Sequence, residues 1–238
     1  MPSFDIIKEH KAEESSFRVK SVMGMFDLDS SHIKEHFVGN IDLPAEWQVG
    51  IIYGASGTGK STIANELFSK EIIKGYEYTH DSVVDDMPEG KTIKEITQAF
   101  SSVGFSSPPS WLKPYSVLSN GEKMRVDLAR AILSNQDTIV FDEYTSVVNR
   151  EVAKVGSYAI QKAIRKTNKK FVAVACHSDI IDWLEPDWTF CTDDMSFQTV
   201  KKNDQKSTLG WDFCFTGSCR SGTALRAFRG TCSACRWL

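Results

Sequence analysis

Residues 54–61, Gly-Ala-Ser-Gly-Thr-Gly-Lys-Ser, fit the spacing G-x-x-x-x-G-K-[ST] at every fixed position. The apolar run VGIIY precedes them and STIANELFSK follows, the strand, loop and helix setting in which that spacing closes around phosphate. Glycines at Gly54, Gly57 and Gly59 let the backbone N–H groups turn inward. Ala55, Ser56 and Thr58 fill the loop, and the start of the next helix adds its dipole. Lys60 is placed to reach the outer phosphates, Ser61 to offer a hydroxyl to Mg²⁺, and Thr62 follows in the first helical turn. This one feature commits the chain to a nucleotide-type phosphate site on the edge of a sheet.

The rest of the chain agrees with that commitment. Short apolar runs at Trp47–Tyr53, Thr138–Phe141 and Phe171–Cys176 read as buried strands, and Ser61–Lys70, Glu122–Leu133 and Glu151–Lys166 read as helices. That alternation predicts an α/β domain with a largely parallel sheet. The stretches FRVKSVMGMFDL and HFVGNIDL before Gly54 are expected to add strands, and residues 188–200 to close as a hairpin turning at Asp193-Asp194. Ser101–Pro114 reads as a proline-rich loop without a helix.

Composition bounds the class. A chain of 238 residues, 41% hydrophobic and 25% charged, is long enough for one ordinary core with an appendage. No apolar run is long enough to span a membrane, and the charged first residues do not read as a secretory signal. We therefore expect a cytoplasmic protein. Residues 1–200 hold 21 basic and 29 acidic groups, and residues 201–238 hold 7 and 2. An acidic body argues mildly against a domain built mainly to hold nucleic acid, although charge alone does not exclude a local basic groove.

Two further stretches carry chemistry. TIVFDE, residues 138–143, is an apolar strand ending in two acids: Asp142 suits Mg²⁺, and Glu143, one residue on, suits a general base for an attacking water. His177 follows the apolar run 171–176, 34 residues beyond Glu143, at the tip of the next expected strand, from which an imidazole can reach a γ-phosphate. His10, His32, His36 and His80 have no such placement and read as surface residues.

Between these lies LSNGEKMRVDLARAIL, residues 118–133. Ser119 reads as an N-cap, and a serine hydroxyl with the Gly121 backbone N–H at a helix start makes a second anion site. The order of P-loop, LSNGE, TIVFDEYTS and VACHSD resembles the motif order of ABC-type ATPases, whose signature is close to L-S-G-G-Q followed by Ala-Arg-Ala. Asn120 and Glu122 depart from that pattern, and Ser119, Gly121 and Ala129-Arg130-Ala131 keep it.

The resemblance implies a P-loop NTPase fold with a mainly parallel sheet, an antiparallel β extension and a reduced helical (signature) subdomain. It also implies ATP and Mg²⁺ as cofactors. Two copies would meet head to tail in an ATP-induced homodimer, with Ser119 and Gly121 acting in trans on the partner's nucleotide. By the same resemblance, Ser146-Val147-Val148-Asn149 stand at the interface-crossing loop, Asp85 or Asp86 in the place of the usual glutamine, with Asp85 preferred, and Phe26 as the adenine-stacking aromatic. Only 58 residues separate Lys60 from Ser119, which favours a soluble ATPase with an unknown protein partner over a membrane transporter subunit, and the carboxylate of Glu143 favours hydrolysis over a nucleotide-gated dimer module with little turnover. Within the family, residues 15–200 resemble stand-alone ATPases joined to an acetyltransferase-like domain.

Residues 1–200 are thus expected to form the ATPase domain, with residues 201–238 as a basic tail. The last 32 residues contain no Lys, Glu, Ile or Val and hold four of the six cysteines, Cys214, Cys219, Cys232 and Cys235. A zinc site is the sharper reading of those thiols, but only the second pair has the favoured spacing. A poorly packed tail or a slipped reading frame fits the composition better.

Overall fold

The computed structural model describes residues 3–9, 16–27, 34–73 and 75–200. The tail and its four cysteines, together with His10 and His32, lie outside the described residues.

Six strands form the main sheet. They are β3 (Val49–Tyr53), β4 (Ile72–Ile73), β5 (Thr138–Phe141), β6 (Lys170–Ala175), β7 (Trp188–Cys191) and β8 (Ser196–Thr199), in the spatial order β4-β5-β6-β3-β7-β8. Every pairing is parallel except the last, the β7–β8 hairpin, whose turn contains Asp193 and Asp194 as the sequence predicts. A separate antiparallel pair joins β1 (Ser3–Glu9) to β2 (Lys34–Asn40), with Lys8 opposite Glu35.

Alternating side chains of the central strands go to two different cores, which explains why the strands are apolar at almost every position. Val49, Ile51, Ile139, Phe171 and Ala173 pack on one face, with residues of α3 (Ile93–Ser102), α5 (Asn120–Leu133) and α6 (Arg150–Ile164). Ile52, Val140, Val172 and Val174 pack on the other, with α2 (Lys60–Phe68) and with Phe4 and Phe37 of the β1–β2 pair. That pair therefore lies against the P-loop helix and brings residues from the first forty positions to the phosphate site.

Two expectations need correction. FRVKSVMGMFDL does not add a strand, because Phe17–Met25 forms the helix α1. None of its residues is buried, so no core fixes the period of its apolar positions. Ser101–Pro114 does contain a helix, the single turn α4 (Pro108–Trp111). Its two prolines occupy the first helical positions, where the missing N–H groups have no helical partner in any case.

Candidate functional site

The P-loop joins β3 to α2, and its glycines are needed for its shape. Gly57 and Gly59 sit at φ 85° and 84°, a region open to glycine and strained for other residues. At Gly59 a side chain would also meet the Phe37 ring, with an ideal Cβ only 2.4 Å from its nearest carbon. The tip of the β7–β8 hairpin braces the loop. Asp193 accepts from the Ala55 N–H at 2.8 Å, and the Thr58 hydroxyl donates to the Ala55 carbonyl at 2.9 Å while also bonding to Thr192. Lys60 is buried and donates to the Ala55 carbonyl.

A cleft of about 280 Å³ opens over this loop, lined by Ser56, Gly57, Gly59, Lys60, Ser61, Thr62, Asp142, Glu143 and the end of β6 through Cys176. The Ser61 hydroxyl donates to Asp142 Oδ1 at 3.1 Å. A hydroxyl and a carboxylate converging at the foot of an open cleft are hard oxygen donors of the kind Mg²⁺ takes with phosphate, so the residues present fit that ion. Where β5 ends, Glu143 adopts a left-handed conformation at φ 50°. Its N–H donates to Asp142 Oδ1 at 2.9 Å, and the next residue is tied back to β6 by the Tyr144 N–H to the Val174 carbonyl at 2.8 Å. This turn explains how two adjacent acids reach the same cleft. A non-glycine residue held at positive φ stores strain of the kind found at functional sites.

The signature residues lie elsewhere. Ser119 and Gly121 do not line the cleft; Ser119 caps α5 in a capping box with Glu122. Glu122 accepts from the Ser119 hydroxyl at 2.8 Å and from Ser110 of α4 at 2.9 Å. The Ser119 hydroxyl and N–H, helped by Ser110, hold the Glu122 carboxyl below its usual range against the opposing effect of burial. Glu122, which departs from the family signature, therefore orders the start of the helix. At Gly121 a Cβ would come within 2.9 Å of Val152 on α6, so this position also lets two helices approach closely.

Asp127 of α5 fixes the segment leading to Ser119. It accepts from Tyr78 at 2.6 Å and from Tyr115 at 2.8 Å, while the two rings stack 3.8 Å apart. Burial pushes the Asp127 carboxyl up despite those bonds. Nothing in sequence spacing marks this trio.

His177 lies one residue past Cys176, is exposed, and does not line the cleft. Its neighbour Asp179 pairs with Arg150. Asp85 is exposed and accepts from the Ser82 hydroxyl at 2.6 Å. Asp86 is buried and accepts from the N–H groups of Thr79 and His80 and from the His80 ring, a structural arrangement. Phe26 is the C-cap of α1, 68% exposed, and does not line the cleft. Lys8, Glu35 and Cys176 line it without having been expected there.

The parallel sheet, P-loop and signature helix together make the fold of an ATP-binding cassette. The chain is similar to an ATP-binding cassette solved as a dimer in a post-hydrolysis state with ADP and Pi, at a TM-score of 0.56 and 14% identity over 84% of this chain and 98% of that one. It is 31% identical over 136 residues to an ABC transporter ATP-binding protein of Haemophilus influenzae, covering 45% of this chain and 55% of that protein. It is 28% identical over 157 residues to elongation factor 3 of Gonapodya prolifera, of which it spans 14%. No family model matches the chain.

Proposed function

We propose that this chain binds Mg-ATP and hydrolyses it as a head-to-tail homodimer in the cytoplasm, coupling the cycle to a partner protein. The observation that carries this reading is that the helix start at Ser119 and the P-loop cleft are separate on one chain. The P-loop cleft gathers Lys60, Ser61, Asp142 and Glu143, while the capped start of α5 at Ser119 and Gly121 contributes nothing to the cleft of its own chain. A second copy would bring the two halves together.

In that assembly the P-loop amides and Lys60 would hold the β- and γ-phosphates, and Ser61 and Asp142 would hold Mg²⁺, which would supply positive charge beside the phosphates. Glu143 accepts a proton from the attacking water, His177, which follows Cys176 in the chain, turns to the γ-phosphate, and Ser119 donates to that phosphate from the partner copy. For Ser119 to do so, its hydroxyl must exchange its bond to Glu122 for one to phosphate. The short segment from Lys60 to Ser119 supports a soluble ATPase. The cassette names of the relatives favour a second reading, the ATP subunit of a transporter, which requires copurification with a membrane protein.

Phosphate release measured across a range of protein concentrations tests the proposal. We expect the rate per chain to rise with concentration as dimers form, and Lys60→Ala to lower it about 100-fold. A rate per chain independent of concentration and well below saturation would contradict the dimer. A second test uses Cys176, an exposed free thiol at the edge of the cleft. Mg-ATP is expected to slow its alkylation by N-ethylmaleimide several-fold, read at that cysteine by mass spectrometry. An unchanged rate would place the nucleotide elsewhere.

A further inference from the structure

Lys8 comes from β1, 54 residues before Thr62, yet its ammonium donates to the Thr62 hydroxyl at 3.0 Å. Thr62 is the third residue of α2, in the first turn whose free N–H groups face the phosphates. Lys8 also lines the phosphate cleft itself.

Charge balance gives this placement a purpose. Among the described residues lining the cleft, three are carboxylates, Glu35, Asp142 and Glu143, and two are cations, Lys8 and Lys60. A nucleoside triphosphate brings about four more negative charges, and Mg²⁺ at Ser61 and Asp142 offsets two of them. Lys60 is already turned into the loop toward the Ala55 carbonyl and serves the outer phosphates. Lys8 is the remaining cation, and its described partner is a neutral hydroxyl that it can exchange for a phosphate oxygen at little cost.

We propose that Lys8 is a nucleotide-binding residue that contacts the α-phosphate, an assignment that rests on the ATP-binding reading above. The order of side chains along α2 selects that phosphate. Lys60 and Ser61 serve the β- and γ-phosphates and their Mg²⁺, so the next hydroxyl, Thr62, with Lys8 upon it, stands on the side of the α-phosphate. The packing of Phe4 and Phe37 in the core beneath the β1–β2 pair keeps this strand over the loop.

Binding of Mg-ATP and Mg-ADP, measured by titration calorimetry on the full chain, tests the assignment. We expect Lys8→Ala to weaken both nucleotides by about tenfold and by similar factors, because both carry an α-phosphate. Lys8→Arg should recover most of the loss, and Lys70→Ala, in the turn after α2, should leave both affinities unchanged. The melting temperature without nucleotide should be the same for wild type and Lys8→Ala, which separates a lost contact from a lost fold. Equal affinities for wild type and Lys8→Ala would overturn the assignment alone, and a loss confined to ATP would move Lys8 to the γ-phosphate and overturn it as stated. Failure of the wild-type chain to bind either nucleotide would overturn the ATP-binding reading itself and this assignment with it.

Discussion

Glu143→Gln is expected to lower steady-state phosphate release at least 100-fold while leaving Mg-ATP affinity within a few-fold of wild type. The substitution keeps the shape of the side chain and removes its ability to take a proton, and a positioned general base contributes roughly 10²–10⁴ to a rate. The groups assigned to hold the nucleotide are other residues of the same cleft: the P-loop amides, Lys60, Ser61 and Asp142. Glutamine carries the same left-handed backbone burden as glutamate at φ 50°, so the turn at the end of β5 should survive. Turnover unchanged in the variant would sink the assignment of Glu143 as base, and affinity lost together with turnover would mean that the side chain holds the nucleotide instead.

The second large effect concerns stability. Asp187 precedes β7 and accepts from the backbone N–H groups of Gln48 and Val49 at 2.7 and 3.0 Å, where β3 begins, and it pairs with Arg165 at 3.2 Å. It thus ties the end of α6 to the strand that carries the P-loop. Asp187→Ala would leave a largely buried guanidinium and two backbone donors without this carboxylate, at a cost of roughly 3 kcal/mol. Burial alone would raise this carboxyl, but the two N–H groups and Arg165 outweigh it and hold the folded-state value below the usual one. A depressed value means that the stabilisation is present above the unfolded-state pKa, about 3.9, and is lost as pH falls through the folded-state value. Urea denaturation should therefore show a large gap between wild type and Asp187→Asn at neutral pH that narrows below about pH 4. A gap that stays constant with pH would show that the carboxylate charge is not what matters.

Legibility in the sequence followed the range of the interaction. The P-loop is written in eight adjacent residues because backbone geometry fixes its spacing, and β5 is legible because its middle residues, Ile139 and Val140, are apolar on both faces. The start of α5 is local as well. Ser119 and Glu122 hold the three-residue offset of a capping box, a signal present in LSNGE that the departure from the family pattern obscured. The helix at residues 17–25 is not legible, because it buries no side chain and its apolar positions record no partner. Lys8, Asp127 and Asp187 were invisible for a different reason. Each acts through contacts with residues distant in the chain, and no local pattern distinguishes such a lysine or aspartate from one on a solvated surface.

The central claim is that two incomplete phosphate sites on one chain complete each other between two chains. Size-exclusion chromatography with light scattering on Glu143→Gln, with and without Mg-ATP, tests it most directly, because blocked hydrolysis should hold the ATP-bound assembly together. The account predicts a monomer without nucleotide and a dimer of twice the 26.7 kDa chain mass with Mg-ATP, lost again when Ser119 is also replaced by arginine. A variant that binds Mg-ATP and remains monomeric at all concentrations would contradict it.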